Sequence, residues 1–175
     1  IKNIGSMSEH AKQRSQSVAV DRVVHSDPVD AAIIALPAKA IIPAIEACAR
    51  RGVGGAVVYA AGFAEAGDEG IAAQARLAAL AREADIALLG PNTLGLSNYV
   101  DGNVLAFGPN GPEDLAGRPA VAILAQSGAM MGSVRLSAKM RRYGVTYAVA
   151  TGNEAVTCVE DYMAHIVDDP HTRAI

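Results

Sequence analysis

Short apolar runs recur along this chain, each ending at a turn of glycine, proline or amide residues before an amphipathic stretch begins. The runs predict strands at 31–36, 53–59, 86–89, 120–125 and 145–150, with helices at 38–51, 71–84, 128–143 and 156–167. Strands alternating with helices of this length form right-handed βαβ units, so the fold class is α/β with parallel sheets and helices on both faces. The alternation lapses after Gly90, where 98–107 reads as a short hairpin around Asp101-Gly102 and 108–119 as a linker rich in glycine and proline. Two units follow: residues 1–107, and residues 120–175 after the linker at 108–119. A further strand opens at 172–175, while the first 26 residues carry little periodicity. Both ends therefore read as cut, as expected of part of a larger protein or of the ordered remainder of one.

Aromatic residues make up only 4% of the chain and Trp is absent. The core must be built from Ala, Val, Ile and Leu, which suits strands buried on both faces. With 51% hydrophobic and 19% charged residues the composition is globular rather than disordered. A net charge of −3 gives no basic footprint for nucleic acid. No apolar run is long enough to cross a membrane and no signal peptide opens the sequence, so a cytoplasmic location is expected. Cys48 and Cys158 each fall inside an expected helix and read as small buried apolar residues of a reducing compartment.

Ligands of open parallel sheets bind beyond the carboxyl ends of the strands. Those ends are Leu36-Pro37-Ala38-Lys39, Ala60-Ala61-Gly62-Phe63, Gly90-Pro91-Asn92-Thr93, Gln126-Ser127-Gly128 and Thr151-Gly152-Asn153. Glycine ends any one strand because tight turns need positive φ. Five small or amide-bearing ends together suit a long phosphate-bearing ligand, with Asn92, Gln126 and Asn153 available as donors. At Gln126-Ser127-Gly128 a strand passes straight into a helix, whose first N–H groups and dipole favour an anion. Ser127 reads as its N-cap. A hydrolase elbow is disfavoured, since Ala125 and Ala129 stand where that motif has glycine and no Asp–His pair follows at a suitable distance.

The remaining candidates read as structural. His10, His25 and His171 lie in polar or charged stretches, and His165 follows Asp161 at helical spacing as an i, i+4 pair. Glu65, Asp68 and Glu69 complement the dipole of the helix they precede. No cluster has metal-ligand spacing, so no metal site is expected. Gly-x-Gly-x-x-Gly is absent, which argues against a nicotinamide dehydrogenase.

In order, Leu36-Pro37-Ala38-Lys39, Ala61-Gly62-Phe63-Ala64-Glu65-Ala66-Gly67, Leu89-Gly90-Pro91-Asn92-Thr93-Leu94-Gly95-Leu96, Ala125-Gln126-Ser127-Gly128-Ala129, Thr151-Gly152-Asn153 and Asp168-Asp169-Pro170 form a specific set. From residue 28 onward the chain resembles the ADP-forming (NDP-forming) acyl-CoA synthetases, the acetate–CoA ligase family, relatives of the succinyl-CoA synthetase α subunit. No match is seen over the first 26 residues. The resemblance implies a Rossmann-like CoA-binding domain, then the first half of a flavodoxin-like ligase domain. It implies that Leu36, Pro37 and Ala38 flank the adenosine part of CoA, and that Tyr59, Ala60 and Ala61 line the CoA chain with Gly62 and Asn92 close by. Ser127, Gly128 and Ala129 would hold the phosphoryl group of a phosphohistidine. Gly132 falls in the acyl pocket, where succinyl-CoA synthetases carry tyrosine, which leaves room for acids other than succinate.

The implied reaction is acyl-CoA + ADP + phosphate in equilibrium with carboxylate + CoA + ATP. No catalytic residue is expected in this chain: the phosphohistidine belongs downstream, and ATP, ADP and Mg bind through an ATP-grasp domain or subunit outside it. The fragment alone is expected to be inactive. Expected partners are CoA, a carboxylic acid, the ATP-grasp part and further copies in an oligomer, with neither nucleic acid nor membrane. A regulatory module that senses CoA or nucleotide, such as one fused to a protein lysine acetyltransferase, is the alternative.

Overall fold

The computed structural model describes residues 29–108, 111, 113, 115 and 117–175; the N-terminal stretch and part of the expected linker lie outside them. The first sheet contains β1 (Ala31–Ile34), β2 (Gly55–Val58) and β3 (Ala87–Leu89), parallel and in that order. After β1, a single 3-10 turn leads into α1 (Ile41–Arg50), and α2 (Asp68–Glu83) connects β2 to β3. Helix α1 buries Ile41, Ala44, Ile45 and Cys48, the i, i+3, i+4, i+7 stripe of an amphipathic helix. Withdrawing Ile41 and Ile45 from water contributes roughly 2 kcal/mol each.

Strand β2 shows why a sheet covered on both sides needs an uninterrupted apolar run. Ala56 and Val58 face a core shared with α1 and α2, while Val57 faces the opposite way. That second core is shared with the other sheet: Val57 and Leu89 meet Leu96, Leu105, Ala122, Tyr147 and Val149, together with Tyr162 and Ile166 of α4 (Val159–Ile166). Helix α4 thus contributes to the core between the two sheets.

The second sheet runs β5-β4-β7-β6, comprising β4 (Gly95–Asn98), β5 (Asn103–Ala106), β6 (Ala120–Ala125) and β7 (Gly144–Ala150). Strands β6 and β7 are parallel and joined by α3 (Gly128–Met140). Val121 pairs with Val145 but Ala122 with Tyr147, a bulge that leaves Thr146 unpaired in the ladder. Helix α3 covers the outer face through Met131, against Ile123, Val145, Ala148 and Ala150.

Several expectations change. The hairpin forms, but β4 pairs antiparallel with β7, so it belongs to the second sheet and makes that sheet mixed rather than parallel. Thr93 redirects the chain there: its hydroxyl donates to the Ala150 carbonyl and accepts from the Gly95 N–H at 2.9 Å. Cys158 is the N-cap of α4 rather than a helix-interior residue, and only Cys48 is fully buried. Asp161 accepts from the Cys158 N–H at 2.9 Å, so its carboxylate caps α4 in place of the expected pairing with His165. The late strand at 172–175 is reduced to one parallel bridge between Val121 and Ala174.

Candidate functional site at the carboxyl ends of the strands

The three turns of the first sheet lie against one another because parallel strands end side by side. The Tyr59 N–H donates to the Ile34 carbonyl at 3.2 Å, and the Asn92 N–H to the Ala60 carbonyl at 2.8 Å. A Cβ on Gly62 would lie 3.3 Å from the Cβ of Ala38, so the first and second turns are in contact. Leu36, Pro37, Ala61, Gly62 and Asn92 are exposed, with Ala38, Tyr59 and Ala60 partly buried among them. All eight residues expected on the CoA side therefore share one open shelf. The Tyr59 ring meets Phe107 edge-on at 6.0 Å, and burial pushes its hydroxyl pKa up, so it stays neutral. Phe107 remains 69% exposed, an aromatic edge of this shelf that the sequence reading did not single out.

The second sheet is fastened to this shelf. From Gly152 the chain turns back along β3, where the N–H groups of Asn153, Ala155 and Thr157 donate to the carbonyls of Pro91, Gly90 and Leu88. Asn153 lies at the centre. Its Nδ2 donates to Glu65 and to Gln74 Oε1 (2.9 Å), and its Oδ1 accepts from Asn92 Nδ2 at 3.3 Å. Gln126 Nε2 donates to the Gly152 carbonyl at 3.1 Å, and the Gly152 N–H returns a bond of 3.1 Å to the Gln126 carbonyl. The three amides expected to face a ligand are thus engaged in tying the turns together.

Glu65 belongs to this network, not to a helix dipole alone. Its Oε1 accepts from the Gly62 N–H at 2.5 Å and the Phe63 N–H at 3.2 Å, and its Oε2 accepts from Asn153. Partial burial would raise the carboxyl pKa, but the bonds from Asn153, Gly62 and Phe63 outweigh it and hold the group below its ordinary value. Glu65 and Gln74 were missed as site residues because their partners Asn153 and Ala64 are set by tertiary packing. The one sequence signal was the position of Glu65, three residues after Gly62 in a strand-end turn.

Ser127 is the N-cap of α3, with an extended backbone, and its Oγ accepts from the Met130 N–H at 3.4 Å. The Met131 N–H closes onto the Ser127 carbonyl at 2.9 Å. The N–H groups of Gly128 and Ala129 have no acceptor among the described residues, as the first turn of a helix requires. Leu94 packs across Gly128 so closely that a Cβ there would lie 2.4 Å from Leu94 Cγ. Ser127 and Ala129 are exposed and Gly128 is partly buried between them. Gly132 lies four residues further along α3, about 6 Å by helical rise, and a Cβ added to it would meet nothing within 4 Å. Among the described residues no group of three His, Cys, Asp or Glu side chains could hold a metal, and no helix is long and apolar enough to cross a membrane.

The family described as CoA binding domain matches residues 7–99, and the succinyl-CoA ligase like flavodoxin domain matches residues 118–175. The first match begins inside the N-terminal stretch, so the resemblance reaches back over residues 7–26, where none is expected from the motifs. A trans-feruloyl-CoA synthase of an unknown prokaryotic organism is 41% identical over 148 residues, covering 84% of this chain and 21% of the relative. An ADP-forming acetate–CoA ligase I of Archaeoglobus fulgidus is 38% identical over 147 residues, again covering 84% and 21%. The apo dinucleotide-forming acetyl-coenzyme A synthetase 1 of Candidatus Korarchaeum cryptofilum superposes with a TM-score of 0.76 at 28% identity, covering 84% of this chain and 31% of that one. The chain spans about a fifth of the length of these two sequence relatives.

Proposed function

This chain belongs to the family of ADP-forming acyl-CoA synthetases through its CoA binding domain, and we propose that it forms the CoA-binding and partial ligase portion of such an enzyme. The whole protein would interconvert acyl-CoA, ADP and phosphate with carboxylate, CoA and ATP. One observation carries the reading. The small-residue shelf of the first sheet and the open N–H pair of Gly128 and Ala129 lie at the same ends of adjoining sheets, joined through Asn92, Asn153, Gly152 and Gln126.

The residues fit CoA as a ligand. Leu36, Pro37 and Ala38 offer an apolar ledge for the adenosine part, and Ala60, Ala61 and Gly62 lack side chains that would block the pantetheine chain. Tyr59 and Asn92 would line it. Ser127, Gly128 and Ala129 would receive a phosphoryl group, the free N–H donors stabilising its charge without titrating. Gly132 leaves the acyl side open. The phosphoryl carrier, the nucleotide and Mg would bind through parts of the protein outside this chain, and the protein would work with an ATP-grasp domain or subunit. A sensor role is not favoured, since these relatives are synthetases and ligases by name.

The test uses the full-length protein: calorimetry with CoA, then ADP- and phosphate-dependent release of CoA from a panel of acyl-CoAs. Saturable CoA binding with ADP-dependent turnover is expected. CoA binding without turnover on any acyl-CoA would return the sensor reading.

A further inference from the structure

We propose that Glu65 is a positioning residue that couples the CoA-side turn at Gly62 to the phosphoryl-side turn at Ser127, a proposal that rests on the assignment of those two turns made above. The connection can be followed atom by atom. Glu65 Oε1 holds the Gly62 and Phe63 N–H groups at 2.5 and 3.2 Å, and its other oxygen holds the side-chain amide of Asn153. Asn153 is fixed by its own N–H on the Pro91 carbonyl at 2.9 Å, by Gln74 at 2.9 Å and by Asn92 at 3.3 Å. Its neighbour Gly152 exchanges two bonds of 3.1 Å with Gln126, the residue before Ser127. From Gly62 to Ser127 every link is therefore a hydrogen bond or a stretch of one or a few covalently joined residues.

An exposed glutamate ordinarily samples many rotamers and contributes little. Here donors from two sheets converge on both carboxylate oxygens, which defines a single rotamer. Capping α2 does not account for this, because that helix begins at Asp68 and the third donor comes from 88 residues away in sequence. Glu65 needs no contact with substrate in this role. It sets the distance between the two turns, so that CoA on one and a phosphoryl group on the other are presented in a fixed relation.

The test is a double-mutant cycle in the full-length enzyme with Glu65→Ala, Asn153→Ala and both. Each single variant should raise the KM for CoA about fivefold and lower kcat about tenfold, with the KM for ADP within about twofold, and the double variant should match the more severe single one. Effects that multiply in the double variant, or equal shifts in the CoA and ADP constants, overturn the coupling. Should the alanine variants fail to fold, Glu65→Gln keeps an acceptor for the Gly62 and Phe63 N–H groups but opposes one amide to another at Asn153, and it should raise the KM for CoA with the KM for ADP within about twofold. A raised CoA KM in that variant supports the proposal, and an unchanged one overturns it. A wild-type enzyme that neither binds CoA nor turns over acyl-CoA with ADP removes the functional reading itself; normal wild-type turnover with unperturbed variants removes the coupling alone.

Discussion

The turns that follow β2 and β6 occupy corresponding places, each beyond the carboxyl end of a parallel strand, yet they treat their backbone donors in opposite ways. Gly62 and Phe63 direct their N–H groups at the carboxylate of Glu65, an anion supplied by the chain itself. Gly128 and Ala129 meet no such group among the described residues. Asp68 and Glu69 add further negative charge to the first turn of α2, whereas α3 has no acidic residue in its first turn. A phosphoryl group arriving at the first turn meets like charge and occupied donors; at the second it meets free donors and the positive end of the helix dipole. Turns at corresponding places thus hold an anion of the chain's own in one unit and unpaired backbone donors in the other. The donors of the first turn are occupied by one side chain, three residues past the glycine.

Gly128→Val attacks the Ser127 turn alone and should have the largest effect. The new Cβ would lie 2.4 Å from Leu94 Cγ, and moving either group displaces the free donors. Turnover of the full-length enzyme should fall by about a hundredfold or more, the scale of losing an oxyanion donor, with the Kd for CoA by calorimetry unchanged within about twofold. A parallel loss of CoA affinity would break the division of labour.

Gly152→Ala strikes the joint between the turns. Gly152 has φ +64, and a Cβ there would lie 2.4 Å from the Pro91 carbonyl oxygen and 2.8 Å from that of Asn92. Backbone strain with a contact to rigid main chain should cost about 3 kcal/mol in chemical denaturation. A cost below about 0.5 kcal/mol, the level of a neutral surface change, would mean that the two turns do not hold each other. Ser127→Ala removes only the N-cap, whose contact to Met130 is long at 3.4 Å. Its cost should fall near the lower end of the cap range, about 0.5 kcal/mol, and a larger loss would give Ser127 a structural role beyond capping.

The smallest effect is a pH dependence. The Glu65 carboxyl is held below its ordinary value in the folded state, so its contribution is complete above the unfolded value and disappears as pH falls through the folded one. The difference in Tm between wild type and Glu65→Gln should be constant above about pH 6 and shrink below about pH 4.3, the ordinary glutamate value. A difference that widens in acid would reverse the sign and place the carboxylate in an unfavourable field.

Much of this frame is legible in the sequence because it follows from local periodicity. Strand β6 occupies 120–125 as expected, and α3 and β7 differ by a few residues at their ends. Helix α2 starts at Asp68 instead of 71, since Asp68 and Glu69 favour the first turn. Helix α4 starts at Val159 instead of 156 because Ala155 and Thr157 donate to β3 and its following turn and hold the chain extended. That pairing depends on an element nearly 70 residues away, which no window of local sequence contains. The partner of the 95–106 hairpin was hidden for the same reason: its alternation is compatible with either sheet edge.

The sequence by itself determined the α/β alternation, the aliphatic core and the five small-residue strand ends, because apolar spacing and turn chemistry act within a few residues. Only the tertiary structure decided which sheet takes the hairpin, that Asn92, Gln126 and Asn153 are drawn into one network of turns, and that Glu65 fills one turn while the donors of Gly128 and Ala129 stay open. Those outcomes depend on which groups meet across the two sheets, and a hydrogen bond has no sequence signature until both partners are brought within reach.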